Sequence, residues 1–284
     1  MQVHKDIELC RMAVRSDRQA GDTVGLVPTM GALHEGHLSL IRAAQARCRR
    51  VAVTIFVNPT QFAPHEDFSA YPRPLEKDLE LCRNAGVDLV FTPSVETMYP
   101  NDARTTIHVA GLSKGLCGPF RPGHFDGVAT VVTKLFNILP ADAAFFGEKD
   151  YQQLQVIRRM ARDLNLPIEI VGCPTLREAD GLAMSSRNVY LTPAQRTQAV
   201  SLSRALFAAA AEVRAGQRDA GAITHHARAS ILAAGPATME YVDVVDAESL
   251  VVLTTVDRLA RMCLAVRIGS CRLIDNVALD GPMD

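Results

Sequence analysis

The segment His34-Glu35-Gly36-His37 contains the side chains of this sequence best suited to phosphate chemistry. It follows an apolar, β-prone run at residues 23–27, and residues 37–49 have the apolar spacing of a helix. The first turn of a helix has unpaired N–H groups and a positive dipole end, and a glycine lets the backbone come close to phosphate oxygens. An imidazole there, charged or donating from its neutral form, would stabilise the charge that grows on departing pyrophosphate. Paired with the serine-rich segment described next, the motif predicts an enzyme that attacks the α-phosphate of ATP and expels pyrophosphate.

A second segment, Met184-Ser185-Ser186-Arg187-Asn188, has the donors of a phosphate-binding turn. Serine hydroxyls and backbone N–H groups donate to phosphate oxygens, and Arg187 adds a planar, permanently charged fork. A Ser-Ser-Arg turn alone occurs in many loops. Together with the histidine motif, however, it indicates ATP chemistry.

The segment Gly147-Glu148-Lys149-Asp150 joins a strand-like run to a helix-like run. Glycine permits close approach of a ligand, and Lys149 supplies a compact charge for phosphate. A lysine between two acids is more often part of a solvated cluster of ion pairs. The position directly after an apolar strand favours the phosphate site.

Two glutamines are candidates for binding a second substrate. Gln61 follows the turn at Asn58-Pro59, and its amide can hold both a hydroxyl and a carboxylate. Gln153 lies four residues beyond Lys149, a spacing that shares one face of a helix. Taken alone, each glutamine is better explained as a solvated residue, Gln61 in a loop and Gln153 on the surface.

The apolar pattern alternates between strands and helices through the first part of the chain. This alternation predicts a mainly parallel sheet with helices on both faces and ligands at the carboxyl ends of its strands. After residue 173 two helices are followed by three strands. We expect an α/β fold with a Rossmann-like, doubly wound parallel sheet in residues 1–173, and a smaller α+β lid domain in residues 174–284. The strands are predicted at 51–57, 88–91, 143–146, 168–171, 239–245, 262–268 and 271–277, and the remaining helices at 75–85, 127–139, 151–164, 192–215 and 219–234.

Composition limits the possible function classes. A formal net charge of -1 gives no general attraction to nucleic acid or to an anionic membrane, and the absence of tryptophan with only 5% aromatic residues argues against base stacking. The seven cysteines form no C-x-x-C pair, and their odd number argues against a full disulfide framework. We therefore expect most of them to be small packing residues in the reducing cytoplasm. Residues 1–18 are polar and charged, so we expect neither a signal peptide nor a membrane span.

The order and spacing of six blocks resemble the pantothenate synthetase family, also called pantoate/β-alanine ligases, over essentially the whole chain. The histidine motif alone is typical of the wider nucleotidylyltransferase superfamily. The Asn-Pro-x-Gln-Phe and Gly-Glu-Lys-Asp blocks narrow the resemblance to this family. The six blocks are residues 27–37, 56–62, 121–125, 146–150, 184–188 and 272–276.

The resemblance implies ATP-dependent condensation of pantoate with β-alanine through a pantoyl adenylate, with release of AMP and pyrophosphate. It also implies Mg²⁺, a homodimer, and no nucleic-acid or membrane partner. The resemblance assigns catalytic roles to His34, His37, Lys149 and Arg187. It also implies that Gln61 and Gln153 bind the small substrates. The implied ATP site comprises Met30, Gly31, Ala32, Leu33, His34, Glu35, Gly36, His37, Gly147, Glu148, Lys149, Asp150, Leu176, Met184, Ser185, Ser186 and Arg187.

Three further residues are candidates for contacts with the triphosphate or its metal. Arg121 and His124 form a basic pair that would screen the triphosphate, but Asp126 makes this block less positive than the family pattern. Asp78 is a candidate outer ligand for magnesium, although a helix-surface aspartate is by default solvated.

Two other functions fit part of this pattern. A nucleotidylyltransferase would transfer AMP onto a phosphorylated metabolite and stop, so its product would retain the adenylyl group. A non-catalytic nucleotide-binding module would bind ATP without turnover. The complete set of His34, His37, Lys149 and Arg187 argues against the second alternative.

Overall fold

The computed structural model describes residues 1–63, 66 and 68–280. The chain divides into two compact units. The first comprises Met1–Ala110, Arg121–Glu148 and Val156–Pro174, and the second comprises Gly111–Phe120, Lys149–Gln155 and Thr175–Asp284. The predicted domain ranges 1–173 and 174–284 include residues 64, 65, 67 and 281–284, which lie outside the described residues.

The first unit is built on a six-stranded parallel sheet of order β1-β4-β3-β2-β5-β6. The direction in which strands are added to the sheet reverses between β2 and β5. The sheet is therefore doubly wound, which confirms the predicted α/β class. The strands are β1 (Gln2–His4), β2 (Val24–Thr29), β3 (Arg50–Ile55), β4 (Leu89–Phe91), β5 (Ala143–Gly147) and β6 (Glu169–Cys173). The helices between them are α1 (Ile7–Gln19), α2 (Glu35–Gln45), α3 (Leu75–Asn84), α4 (Val95–Met98), α5 (His124–Ile138) and α6 (Tyr151–Asp163).

Two element boundaries near the histidine motif differ from the sequence prediction. Strand β2 continues through Pro28 to Thr29. Proline is tolerated there because only Gly25 and Leu26 of β2 pair with β5, so the missing N–H interrupts no ladder on that side. Helix α2 begins at Glu35, two residues earlier than predicted, and ends at Gln45. His37 is therefore inside the first turn, and His34 is the N-cap.

The N-terminal strand and helix were not predicted. Helix α1 buries only Cys10 and Val14, whereas Leu9 and Met12 are exposed. Such a narrow apolar stripe gives a weak periodic signal. Asp6 caps the helix through a 3.0 Å bond from the Leu9 N–H, a start signal that the sequence does contain.

The second unit has an antiparallel sheet packed against two helices. Strands β7 (Thr238–Asp246), β8 (Ala260–Ile268) and β9 (Cys271–Ala278) pair in that order. Helices α7 (Pro193–Arg214) and α8 (Ala220–Ala233) share an apolar core with the sheet. The smaller α+β fold is confirmed, and Thr192 caps α7 by accepting from the Gln195 N–H at 3.3 Å. Over the described residues, no helix combines the length and apolarity that a membrane span requires.

Candidate active site

The sheet of the first unit places the histidine motif at its switch point. Strands β2 and β5 are neighbours, and each is followed at its carboxyl end by a candidate ATP segment: residues 30–37 after β2, and Glu148 after β5. Doubly wound sheets bind ligands where the strand order reverses. The predicted positions of these segments after their strands are therefore confirmed.

The loop after β2 is held by a buried carboxylate. Gly31 and Ala32 adopt left-handed conformations, with φ of 83° and 50°. The Ala32 and Leu33 N–H groups each donate to Asp78 at 2.8 Å, and Asp78 is 1% exposed. The expectation that Asp78 is solvated was wrong, because it lies on the inner face of α3 with both oxygens accepting from this loop.

Replacing Asp78 by asparagine should lower the free energy of unfolding by about 2 kcal/mol, because an amide N–H group would face one of the two backbone donors. Denaturant unfolding measures this change. Glu76→Gln is the matched control, since Glu76 is an exposed acid of the same helix and its loss should cost less than about 0.5 kcal/mol. Equal effects of the two substitutions would contradict a role for Asp78 in holding the loop.

The two motif histidines cap helix α2 through their Nδ1 atoms. The Gly36 N–H donates to His34 Nδ1 at 3.1 Å, and the His34 N–H donates to His37 Nδ1 at 3.2 Å. The ring centroids are 4.1 Å apart. A nitrogen that accepts a hydrogen bond carries no proton, so the neutral rings have their protons on Nε2. Of the two predicted forms, this geometry favours the neutral imidazole that donates from Nε2.

Glu35 and Gly36 contribute to the helix start mainly through their backbone. The Glu35 carboxylate pairs with Arg42 at 2.5 Å, and both side chains are about half exposed. The Glu35 side chain is therefore held in an ion pair on the helix surface. The positive end of the α2 dipole is the feature suited to a phosphate.

Gln61 is a buried residue of the first unit, not a solvated loop residue. Its Oε1 accepts from Asn58 Nδ2 at 3.1 Å, and its Nε2 donates to Met30 Sδ at 2.9 Å. Asn58 also donates to the Gly127 carbonyl at 3.2 Å. A Cβ on Gly127 would lie 2.3 Å from the Thr60 carbonyl oxygen, so only glycine lets α5 approach this turn. The structure thus brings together two predicted site residues, Gln61 and Met30.

Arg121 and His124 also support Gln61. His124 Nδ1 donates to the Gln61 carbonyl at 2.8 Å, and Arg121 Nη1 donates to His124 Nε2 at 3.0 Å. Arg121 forms two 2.6 Å bonds to Glu66. Burial opposes ionisation of Glu66, but the Arg121 guanidinium outweighs it and holds the pKa of that carboxyl below its ordinary value. The charge of Arg121 is thus already paired, which makes a structural role better supported than screening of a triphosphate.

The Gly-Glu-Lys-Asp block forms the end of β5 and a 3₁₀ turn before α6. Apart from Gly147 itself and its two chain neighbours, no residue in the described part of the chain has an atom within 4 Å of the position that a Cβ on Gly147 would occupy. In the second unit, Lys149 Nζ lies 3.6 Å from Asp150 Oδ2, and the Lys149 side chain is 21% exposed. Gln153 is half-buried on α6, whereas Lys149 belongs to the preceding turn and not to the helix.

The serine-rich segment, residues 184–188, is carried by a hairpin of the second unit. The Met184 N–H donates to the Leu176 carbonyl at 3.0 Å, and Arg177 pairs with Ala183 across an antiparallel bridge. Ser185 then caps a 3₁₀ turn by accepting from the Arg187 N–H at 3.3 Å. The hairpin therefore brings Leu176 together with the segment that contains Ser185, Ser186 and Arg187.

A buried asparagine closes this hairpin. Asn188 is 8% exposed, and its Nδ2 donates to Glu178 Oε1 at 2.5 Å and to the Ala183 carbonyl at 3.1 Å. Sequence reasoning quoted Asn188 as part of the motif but assigned no role to it. The signal available in the sequence was the position of Asn188 directly after the candidate site residue Arg187.

The described residues hold no cluster of protein metal ligands, and burial disfavours the thiolate form of three cysteines. Within residues 1–63, 66 and 68–280, no three His, Cys, Asp or Glu side chains cluster as metal ligands. Both Asp78 oxygens accept from backbone N–H groups, so the geometry does not support Asp78 as a ligand. Burial raises the pKa of the Cys10, Cys82 and Cys263 thiols to about 12, which keeps them protonated.

The doubly wound sheet and the histidine-capped helix at its switch point define an α/β nucleotide-binding enzyme class. The chain belongs to the pantoate/β-alanine ligase family, because the family model described as Pantoate-beta-alanine ligase matches residues 2–278. Curated relatives agree with this assignment. The chain is 53% identical over 280 residues to a pantothenate synthetase of Moorella thermoacetica, covering 99% of each chain.

Solved structures are similar over the full length. Pantothenate synthetase from Thermus thermophilus has a TM-score of 0.93 at 44% identity, with 98% of this chain and 99% of that chain covered. Pantoate-beta-alanine ligase from Francisella tularensis has a TM-score of 0.80 at 33% identity, with both chains covered completely. The Francisella structure is complexed with Beta-gamma ATP and β-alanine.

Proposed function

We propose that this chain catalyses the ATP-dependent condensation of pantoate with β-alanine to form pantothenate, AMP and pyrophosphate. The observation that carries the proposal is the pair of histidines capping α2 at the switch point, in a chain that matches the ligase family from residue 2 to residue 278. The ATP and β-alanine bound to the Francisella relative support the same substrates here.

The reaction has two steps. A pantoate carboxylate oxygen attacks the α-phosphorus of ATP, the bond to the bridging oxygen breaks, and pyrophosphate leaves. The β-alanine nitrogen then attacks the carbonyl carbon of the adenylate, loses a proton, and expels AMP. Since neither step requires a protein nucleophile, catalysis rests on positioning and charge stabilisation.

Four side chains are proposed to act on the phosphates. His34 and His37 donate from Nε2 toward the leaving pyrophosphate, and Lys149 and Arg187 supply full positive charge. The hydroxyls of Ser185 and Ser186 are proposed to donate to phosphate oxygens, with Leu176 at the adenine and Asp150 at the ribose or metal. The remaining ATP-site residues are proposed to shape the nucleotide site. Gln61 and Gln153 are proposed to bind pantoate and, in the case of Gln61, to lie beside β-alanine.

Several further features are part of this proposal. Mg²⁺ would bind together with the ATP phosphates and neutralise phosphate charge. Binding through the nucleotide suits a site whose described residues hold no cluster of protein metal ligands. We also propose residues 1–173 as the nucleotide and pantoate domain, residues 174–284 as a lid that excludes water from the adenylate, a homodimer, and a cytoplasmic location. Gel filtration and metal depletion test the dimer and the Mg²⁺ requirement.

Replacing Gln61 by methionine should raise the KM for pantoate by about tenfold or more, because the substitution keeps the side-chain volume but removes the amide donor and acceptor. Affinity for ATP should stay close to that of the wild type. Initial-rate kinetics with each substrate varied in turn measure both values. An unchanged KM for pantoate would remove Gln61 from the substrate site.

Product analysis tests the proposed function against its alternatives. The purified chain is incubated with ATP, Mg²⁺, pantoate and β-alanine, and the nucleotide products are separated by chromatography. We expect free AMP and pantothenate in equal amounts. A product that retains the adenylyl group would indicate a nucleotidylyltransferase, and ATP binding without turnover would indicate a nucleotide-binding module.

A further inference from the structure

We propose that Asp275 and Asn276, adjacent residues of β9, are positioning residues for two segments that the proposed function assigns to ATP. The two segments are the turn at Lys149 and the hairpin of residues 176–188. The inference rests on that function. Sequence analysis noted residues 272–276 only as one block of the family resemblance, without a role.

Asp275 is an acid on the core-facing side of its strand. Alternate residues of β9, among them Cys271 and Leu273, are buried in the apolar core of the second unit, and Asp275 follows the same alternation at 4% exposure. An unpaired carboxylate would be strongly destabilising there. Arg177 compensates it with a bidentate pair, in which Nη1 to Oδ2 is 2.6 Å and Nη2 to Oδ1 is 3.0 Å.

The Asp275 pair fixes the hairpin that carries the serine-rich segment. Arg177 follows Leu176 directly, and its Nη1 also donates to the Gly181 carbonyl at the hairpin turn at 3.1 Å. Its guanidinium lies over the Phe207 ring at 4.8 Å. Because the Met184 N–H bonds back to Leu176, the direction of this hairpin determines where the segment leading to Arg187 begins.

Asn276 fixes the second segment from the other face of the strand. Its Nδ2 donates to the Lys149 carbonyl at 3.0 Å, and its Oδ1 accepts from Arg261 Nη1 at 2.6 Å. Arg261 in turn stacks on Tyr151 with its Cζ 3.8 Å from the ring centroid. The main chain at Lys149 is therefore held from β9 and β8 together.

One dipeptide can serve both segments because successive strand residues point to opposite faces of a sheet. Asp275 reaches the hairpin on one side, and Asn276 reaches Lys149 on the other. The strand thereby fixes the two cationic segments of the second unit relative to each other. Loss of either contact should affect ATP-dependent steps more than binding of pantoate.

The test compares Asp275→Asn and Asn276→Ala with the wild type in pantoate-dependent exchange of labelled pyrophosphate into ATP. We expect each variant to lower the exchange rate by about tenfold to a hundredfold and to raise the KM for ATP, while the KM for pantoate changes by less than about twofold. Glu240→Gln is the matched control. It removes a buried acid, 6% exposed, that pairs with Arg267 and Arg272 in the same sheet.

The outcomes separate this inference from the proposed function. Similar loss of thermal stability in Asp275→Asn and Glu240→Gln, with wild-type kinetics in both, would overturn the positioning role. A wild-type chain without pantoate-dependent exchange would instead contradict the proposed function. If circular dichroism shows that Asp275→Asn does not fold, Arg177→Lys replaces it, because lysine keeps the charge but loses the bidentate fork. For Arg177→Lys we again expect a lower exchange rate and a higher KM for ATP, with a nearly unchanged KM for pantoate. The absence of this pattern would overturn the proposal.

Discussion

Replacing His37 by glutamine, or His34 by asparagine, should slow pantoyl adenylate formation by about 10²- to 10³-fold while leaving ATP affinity nearly unchanged. Each substitution removes an Nε2–H donor that is proposed to stabilise charge on the departing pyrophosphate. Each also keeps the helix start, since asparagine is a favoured N-cap and glutamine at the third helical position can accept from the N-cap N–H.

The corresponding alanine variants separate catalysis from capping. His34→Ala should lose the same rate and, in addition, about 1 kcal/mol of unfolding free energy, because the cap bond from the Gly36 N–H disappears. Rates come from pyrophosphate exchange and affinities from calorimetry with ATP. Equal loss of rate and ATP affinity in the capping-competent variants would contradict a transition-state role for the histidines.

Replacing Lys149 by alanine should lower the rate of the first step by about 10²- to 10³-fold, because the lost cation is proposed to bear directly on the phosphates. Lys149→Arg should recover part of the rate, since it keeps the charge but changes the donor geometry. The same exchange assay at saturating ATP measures both variants.

Lys5→Ala is the control for loss of one positive charge, because Lys5 is exposed and lies before α1. Its rate should match that of the wild type. A Lys149→Ala variant as active as Lys5→Ala would show that the lysine belongs to a solvated cluster with Asp150, the alternative that the sequence left open.

Strands β2 to β6 and the placement of the motifs were predictable because the signals are local. Apolar runs marked the strands, and the histidine, Asn-Pro-x-Gln and Gly-Glu-Lys-Asp blocks follow those runs directly. The run predicted at residues 23–27 stops before Pro28, because proline usually ends a strand, whereas β2 continues to Thr29. Here Pro28 lies beyond the residues that pair with β5.

The supporting contacts could not be predicted from sequence because they join distant residues. Asp78 bonds to backbone groups 45 and 46 residues away, and a charged residue in a polar helix gives no sign of being buried. Asp275 and Arg177 are separated by 98 residues. The structural role of each acid can be recognised only when the fold shows which hydrogen-bond donors face it.

The most direct test of a pantoyl adenylate is exchange of labelled pyrophosphate into ATP by the purified chain, with Mg²⁺ and pantoate present and β-alanine absent. We expect exchange that depends on pantoate, since attack of its carboxylate on the α-phosphorus is reversible until an amine arrives. Exchange that is absent from a folded, ATP-binding chain, or that proceeds equally without pantoate, would contradict this intermediate.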